Sequence, residues 1–354
     1  MSEEKFKIIE GAYLEDILHQ PIALRDTLRS LGVTPRLREI AIGLRRGEFR
    51  RVVLTGMGSS LHALYPLSLR LNEGGQTALL IETSELVHYL GSLLDEDSLI
   101  VAVSQSGQSA EILRLLERPR NGMRIVAVTN TADSQLAQLA SATLLTYAGP
   151  EFSVSAKTYV TALMALEFVG SVLLHGESSG RASSTLSEFS EAADLVADYL
   201  KDWRSHVINL ASILGEVRHL FLVGRGRSLA AARTGALILK ESTKFYAEGM
   251  SSAAFRHGPV EMLSEEALVA IFEGQEPTRA LNRRLFSDIC SQGGRGVLIG
   301  AKSEQPALRL PPAPDSVRPI LEILPVQMMT LALNARTGTE AGRFELATKI
   351  TAIE

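Results

Sequence analysis

Apolar residues in this chain come in short unbroken runs separated by stretches of helical spacing. RVVLTG (51–56), LIVAVS (99–104) and RIVAVTN (124–130) read as buried strands, and HLFLVG (219–224), LVAIF (268–272) and GVLIG (296–300) repeat the pattern later. Runs without polar alternation suit strands covered on both faces. Strands that alternate with helices predict parallel sheets wound with helices on both sides. The expected class is α/β, doubly wound.

The pattern repeats at a larger scale. VLTGMGSSLHA (53–63) lies over FLVGRGRSLAA (221–231) at a constant offset of 168, so that Gly56 meets Gly224, Gly58 meets Gly226 and Ser60 meets Ser228. The same offset brings Val101–Val103 onto Val269–Ile271. Two copies of one α/β unit follow. Small polar residues around 176–184 mark the expected linker, giving a helical lead-in over 1–45, a first domain over 46–180 and a second over 181–354.

SQSGQSAEIL (104–113) is the stretch least explained by folding alone. A strand-to-helix turn needs one glycine and one capping residue, for which Ser106 would serve. This turn carries three serines and two glutamines. Ligands of parallel sheets bind at the carboxyl ends of the strands, where helix N-termini present unpaired N–H groups. Hydroxyls of Ser104, Ser106 and Ser109 and the amide of Gln105 would complete a cradle for a phosphate, with Ser59 and Ser60 offered by the neighbouring GMGSS turn. The second copy has Phe272-Glu273-Gly274 in place of Ser104-Gln105-Ser106, so the phosphate loop belongs to the first copy. A dinucleotide fingerprint starting at Gly56-Met57-Gly58 is the competing reading, with Glu82 as the acidic partner. Leu61 occupies the place of the third glycine and weakens it.

Composition narrows the classes. Hydrophobic residues make up 45 % and charged residues 21 % of 354 residues, and the formal net charge is −4. No positive field favours nucleic acid or an anionic membrane. No apolar run is read as approaching a membrane span, and the charged start MSEEKFKIIE lacks a signal-peptide core. The single cysteine, Cys290, forms no internal disulfide, which makes the cytoplasm the default compartment. No metal-ligand cluster is visible, and neither metal nor cofactor is expected.

Three further clusters carry chemistry. Ser153, Ser155 and Lys157 in GPEFSVSAKT are candidates for the sugar side of the same pocket. Glu241 closes an apolar helix, and a carboxylate with a raised pKa can shuttle a proton between adjacent carbons. His257 stands in the turn RHGP, and a histidine side chain can act as acid and base. Lys349 lies in the terminal ELATKITAIE.

TGMGSS, AVSQSGQSAEIL, AVTNTADSQLA, AGPEFSV, LVGRGRSLAAA, GALILKE, AEGM, RHGP, LPVQ and LATKIT occur here in the order of the tandem sugar isomerase (SIS) domain family. The chain resembles that family over nearly its whole length, nearest to the isomerase half of glucosamine-6-phosphate synthase and its free-standing relatives. The resemblance implies two SIS domains, each a five-stranded parallel sheet flanked by helices. It implies that Ser60, Ser104, Gln105, Ser106 and Ser109 hold a substrate phosphate. It assigns proton transfer between C1 and C2 to Glu241, ring opening to His257 supplied from a second subunit of a homodimer, and contact with the open-chain sugar to Lys349.

The chain also departs from the synthase. Ser2 stands where the synthase has its nucleophilic cysteine, so no glutaminase domain is expected. Ala254 replaces a usual glutamate, EFSVSAKT is one residue short, and GRFELATKIT differs from the usual approach to the lysine. The expected function is a phosphosugar aldose–ketose isomerase or amino-sugar-phosphate deaminase acting on a hexose 6-phosphate, without glutaminase activity. A fructosamine-phosphate deglycase or a non-catalytic phosphosugar sensor is the alternative. The absence of a DNA-binding helix pair argues against the sensor.

Overall fold

The computed structural model describes residues 2–118, 122–177 and 180–351, without the side chains of 181–183. Ser178 and Ser179 of the expected linker lie outside the described residues. The chain forms two compact units, one of residues 1–21, 151–156 and 192–346, the other of 22–150, 157–191 and 347–354.

The second of these holds a five-stranded parallel sheet: β1 (Arg51–Gly56), β2 (Ala78–Glu82), β3 (Ser98–Val103), β4 (Arg124–Thr129) and β5 (Ala142–Leu145), in the order β2-β1-β3-β4-β5. Every residue of β3 is buried, as an unbroken apolar run in a central strand requires. The order reverses between β1 and β3, so the crevice at their carboxyl ends is the ligand position of this topology. Register places Thr55 beside Ala102 there.

Helix Lys157–His175 runs through this unit and packs on helices Pro35–Arg45 and Tyr65–Glu73. It is 19 residues long with a mean hydropathy of 1.4 over its most apolar window, enough by length and composition to cross a membrane. This amends the reading that no apolar run approaches a span. The helix is apolar all round because it is a core helix, 89 % of that window being buried. Its one deep carboxylate, Glu167, is paired with Arg70.

The other unit holds β6 (His219–Gly224), β7 (Tyr246–Ser251), β8 (Ala267–Phe272) and β9 (Arg295–Ile299), in the order β7-β6-β8-β9. This sheet has four strands where the resemblance implied five. A single parallel bridge, Gly300 to Arg309, stands beyond β9. The chain there reads LRLPPAPD, and prolines 311, 312 and 314 lack the N–H groups that a fifth ladder would use.

Helix Ser228–Thr243 lies on β7 so closely that a Cβ on Gly249 would fall 2.3 Å from the Ala232 carbonyl oxygen. Helix Arg318–Thr337 also packs on helix Ser228–Thr243. It also holds the N-terminal segment: Gln20 and Gln327, both fully buried, exchange side-chain amide hydrogen bonds of 2.9 and 3.1 Å.

Candidate active site

The serine loop leaves β3 as an open turn before helix Ala110–Glu117. Ser109, not Ser106, is the N-cap, and its hydroxyl makes no capping bond. Ser104 Oγ accepts from the Gly107 amide at 3.1 Å, and Ser106 Oγ accepts from the Gln108 amide at 3.2 Å. Both hydroxyls therefore shape the loop as acceptors and keep their protons to donate. Gly107 has φ +62, and a Cβ there would lie 2.3 Å from Ser134 Oγ. Only glycine lets the loop close on its neighbour.

The loop is held from outside by residues that sequence reasoning passed over. The Gln105 carbonyl accepts from the Asn130 amide at 3.0 Å and from the Thr129 hydroxyl at 3.2 Å. Asn130 in turn donates through Nδ2 to the Gly149 carbonyl at 2.8 Å, and its Oδ1 accepts from the Ala148 amide at 2.7 Å. An asparagine directly after a buried strand was the available signal. Ser59 and Ser60 lie half-buried in the short helix Gly58–Ala63 after β1, the strand paired with β3. The first unit-specific group of candidates is thus collected at one switch point: Ser59, Ser60, Ser104, Gln105, Ser106 and Ser109.

The same unit contains Lys157 and the C-terminal tail. Lys157 is buried at the start of its helix, so it is not a solvated lysine. The Thr351 carbonyl accepts from the Ala110 amide at 3.1 Å, directly after Ser109. Lys349 is therefore two residues from a contact with the helix that follows the serine loop.

The other unit contains Glu241, His257, Ser153 and Ser155. Glu241 is half-buried in the last turn of helix Ser228–Thr243, whose left-handed C-cap is Lys244 at φ +56. Ser153 is buried, and Ser155 is half-buried, in the segment tied down by Phe152 N–H to Asp16 Oδ2 (2.7 Å) and by Ala156 N–H to Glu151 Oε1 (2.9 Å). His257 is exposed and caps the short helix Ser252–Arg256 that follows β7.

Glu241 and His257 stand on either side of β7 in the chain. One comes just before the strand begins, the other after the helix that starts where it ends. Six residues of strand separate the two ends by roughly 16 Å at ~3.3 Å per step. They precede and follow opposite ends of one strand in the chain.

SIS domains match this chain at residues 48–171 and 213–334, one over each sheet. The chain belongs to the SIS domain family. The glutamine–fructose-6-phosphate aminotransferase [isomerizing] of Pyrococcus horikoshii is 29 % identical over 98 % of the SIS chain, which spans 58 % of that relative's length. The C-terminal domain of glucosamine-fructose-6-phosphate aminotransferase from Francisella tularensis superposes with a TM-score of 0.84 at 21 % identity, covering 94 % of this chain and 98 % of that one. Glucosamine-6-phosphate deaminase from Thermotoga maritima gives 0.77 at 18 % identity, with coverages of 97 and 100 %. These two structures share the tandem SIS fold.

Proposed function

We propose that this SIS protein is a cytoplasmic phosphosugar aldose–ketose isomerase or amino-sugar-phosphate deaminase acting on a hexose 6-phosphate such as glucosamine 6-phosphate or fructose 6-phosphate. The observation that carries it is the serine loop, in which two buried hydroxyls accept from loop amides and so retain their protons for a ligand. Neutral donors at a helix N-terminus and a switch point suit a phosphate. Ser60, Ser104, Gln105, Ser106 and Ser109 would hold it, with Ser59 beside them and Ser153, Ser155 and Lys157 toward the sugar.

In this reading the Glu241 carboxylate takes the proton from C2 of the open-chain aldose and returns it to C1, leaving a ketose. From an amino sugar the same transfer gives a ketimine, and water then releases ammonia. His257 moves a proton in ring opening, and Lys349 contacts the open-chain sugar. The positions of Glu241 and His257 beyond opposite ends of β7 support a homodimer in which a second copy supplies His257.

The test is incubation with glucosamine 6-phosphate and assay of fructose 6-phosphate and ammonia. Release of both, lost by at least ~100-fold in Glu241→Gln, is expected for a general base. Near-normal turnover by Glu241→Gln overturns the assignment. Inactivity on hexose 6-phosphates, with release of an amino acid from a fructosamine phosphate, would redirect it to a deglycase.

A further inference from the structure

Four stretches of chain meet at the C-terminal end of helix Ser228–Thr243. Ser242, next to Glu241, uses one hydroxyl oxygen to accept from Asn334 Nδ2 and from the Gly342 amide, each at 3.0 Å. Lys244 Nζ donates back to the Glu241 carbonyl at 2.7 Å and across to the Arg343 carbonyl at 2.9 Å. The ring of Tyr13, fully buried, lies against Gly342: a Cβ added there would be 2.6 Å from Tyr13 Cβ and Cγ and 3.0 Å from Ser153 Oγ. Gly342 also has φ +78. Both space and backbone conformation exclude a side chain at this position.

The knot is electrostatically coupled to Glu241. Burial raises the Tyr13 phenol well above its ordinary value, against the Thr330 hydrogen bond, and the carboxylates of Glu241, Glu151 and Asp16 raise it further. The chain leaving the knot carries Lys349, seven residues beyond Gly342.

We infer that Ser242 and Gly342 are positioning residues of the proposed active site: they fix the segment that follows helix Arg318–Thr337 against the helix end that presents Glu241, and so hold that carboxylate in place. The inference rests on the role given to Glu241 above. It concerns two residues that touch no substrate and act through others.

The test compares Gly342→Ala with Gly338→Ala in the full chain. Gly338 also has a positive φ, +70, but nothing lies within 4 Å of its Cβ position. The rate at which trypsin cuts after Arg343 and Lys349 is followed by mass spectrometry of the intact protein. Gly342→Ala is expected to be cut at least about fivefold faster than wild type, and Gly338→Ala at the wild-type rate. Ser242→Ala should follow Gly342→Ala. Equal cutting of Gly342→Ala and wild type, or equal acceleration in both glycine variants, overturns the knot. With glucosamine 6-phosphate, a raised KM in Gly342→Ala beside an unchanged Gly338→Ala supports positioning, and faster cutting with unchanged kinetics overturns it. A wild type without turnover on any phosphosugar would sink the proposed function instead, and the cutting rates alone would then decide the knot.

Discussion

The Ser228 hydroxyl donates to Glu322 Oε1 at 2.8 Å, at the start of the helix after β6. Ser228 is the repeat's counterpart of Ser60, so the second copy uses this position to hold one of the protein's own carboxyls. Burial pushes Glu322 up to about 8, against the Ser228 bond and Arg318, while Asp315 adds to the rise. The folded state thus keeps a proton that the unfolded chain releases near 4.5. Stability is full below pH 4.5, falls as pH rises toward 8, and is lowest above it. Glu322→Gln should remove this slope. Its melting temperature should match wild type near pH 5 and exceed it by roughly 4 °C near pH 9. A constant difference across that range would refute the assignment.

The separation of Glu241 from His257 by β7 has a direct kinetic consequence. Glu241→Gln and His257→Ala should each be inactive alone. If the proposed homodimer shares its sites, co-expression in equal amounts should recover about a quarter of the wild-type rate per chain, because half of the dimers would be mixed and each would hold one complete site. Failure to recover any activity in dimers shown to be mixed would place both residues in one chain's site.

The serine loop depends on Gly107. A side chain there must displace Ser134, whose Cβ would lie 2.6 Å away and has no flexible end to yield. Gly107→Ala should weaken phosphosugar binding by at least ~10-fold in calorimetry, with a much smaller effect on the affinity of Gly338→Ala. Unchanged affinity would remove the loop from the site.

Gly249 tests the packing beneath Glu241. The obstruction is the backbone of Ala232, not a side chain tip. Gly249→Ala should therefore lower stability by about 3 kcal/mol, read by denaturant titration, whereas Gly32→Ala, with open space around it, should not.

The core strands were legible because they are buried on both faces and read as unbroken apolar runs. β7 was not: YAEGMS lies at the sheet edge with Tyr246 and Glu248 exposed, and no apolar run marks it. β5 is only four residues long and half-buried in alternation. The serine loop was legible from surplus hydroxyls, yet Ser106 and Ser109 exchange the roles that spacing alone suggested. Asn130 and Tyr13 were missed because each works through contacts distant in sequence, to Gly149 and Gly342. The prolines at 311 and 312 were in plain view, and their effect on the second sheet follows from the missing amide donors.

Gln20 and Gln327 are separated by 307 positions and bond to each other across that distance. The unit that carries Glu241 is thus closed by the first and last parts of the chain together. During synthesis its opening helices must wait, with apolar faces such as Phe6, Ile9 and Ile17 unburied, until almost the whole polypeptide has left the ribosome. Most of the serine-loop unit, by contrast, is complete by residue 191. The order of assembly is then set by contact distance: the half that carries the serine loop can be ready while the half that carries Glu241 is still being made.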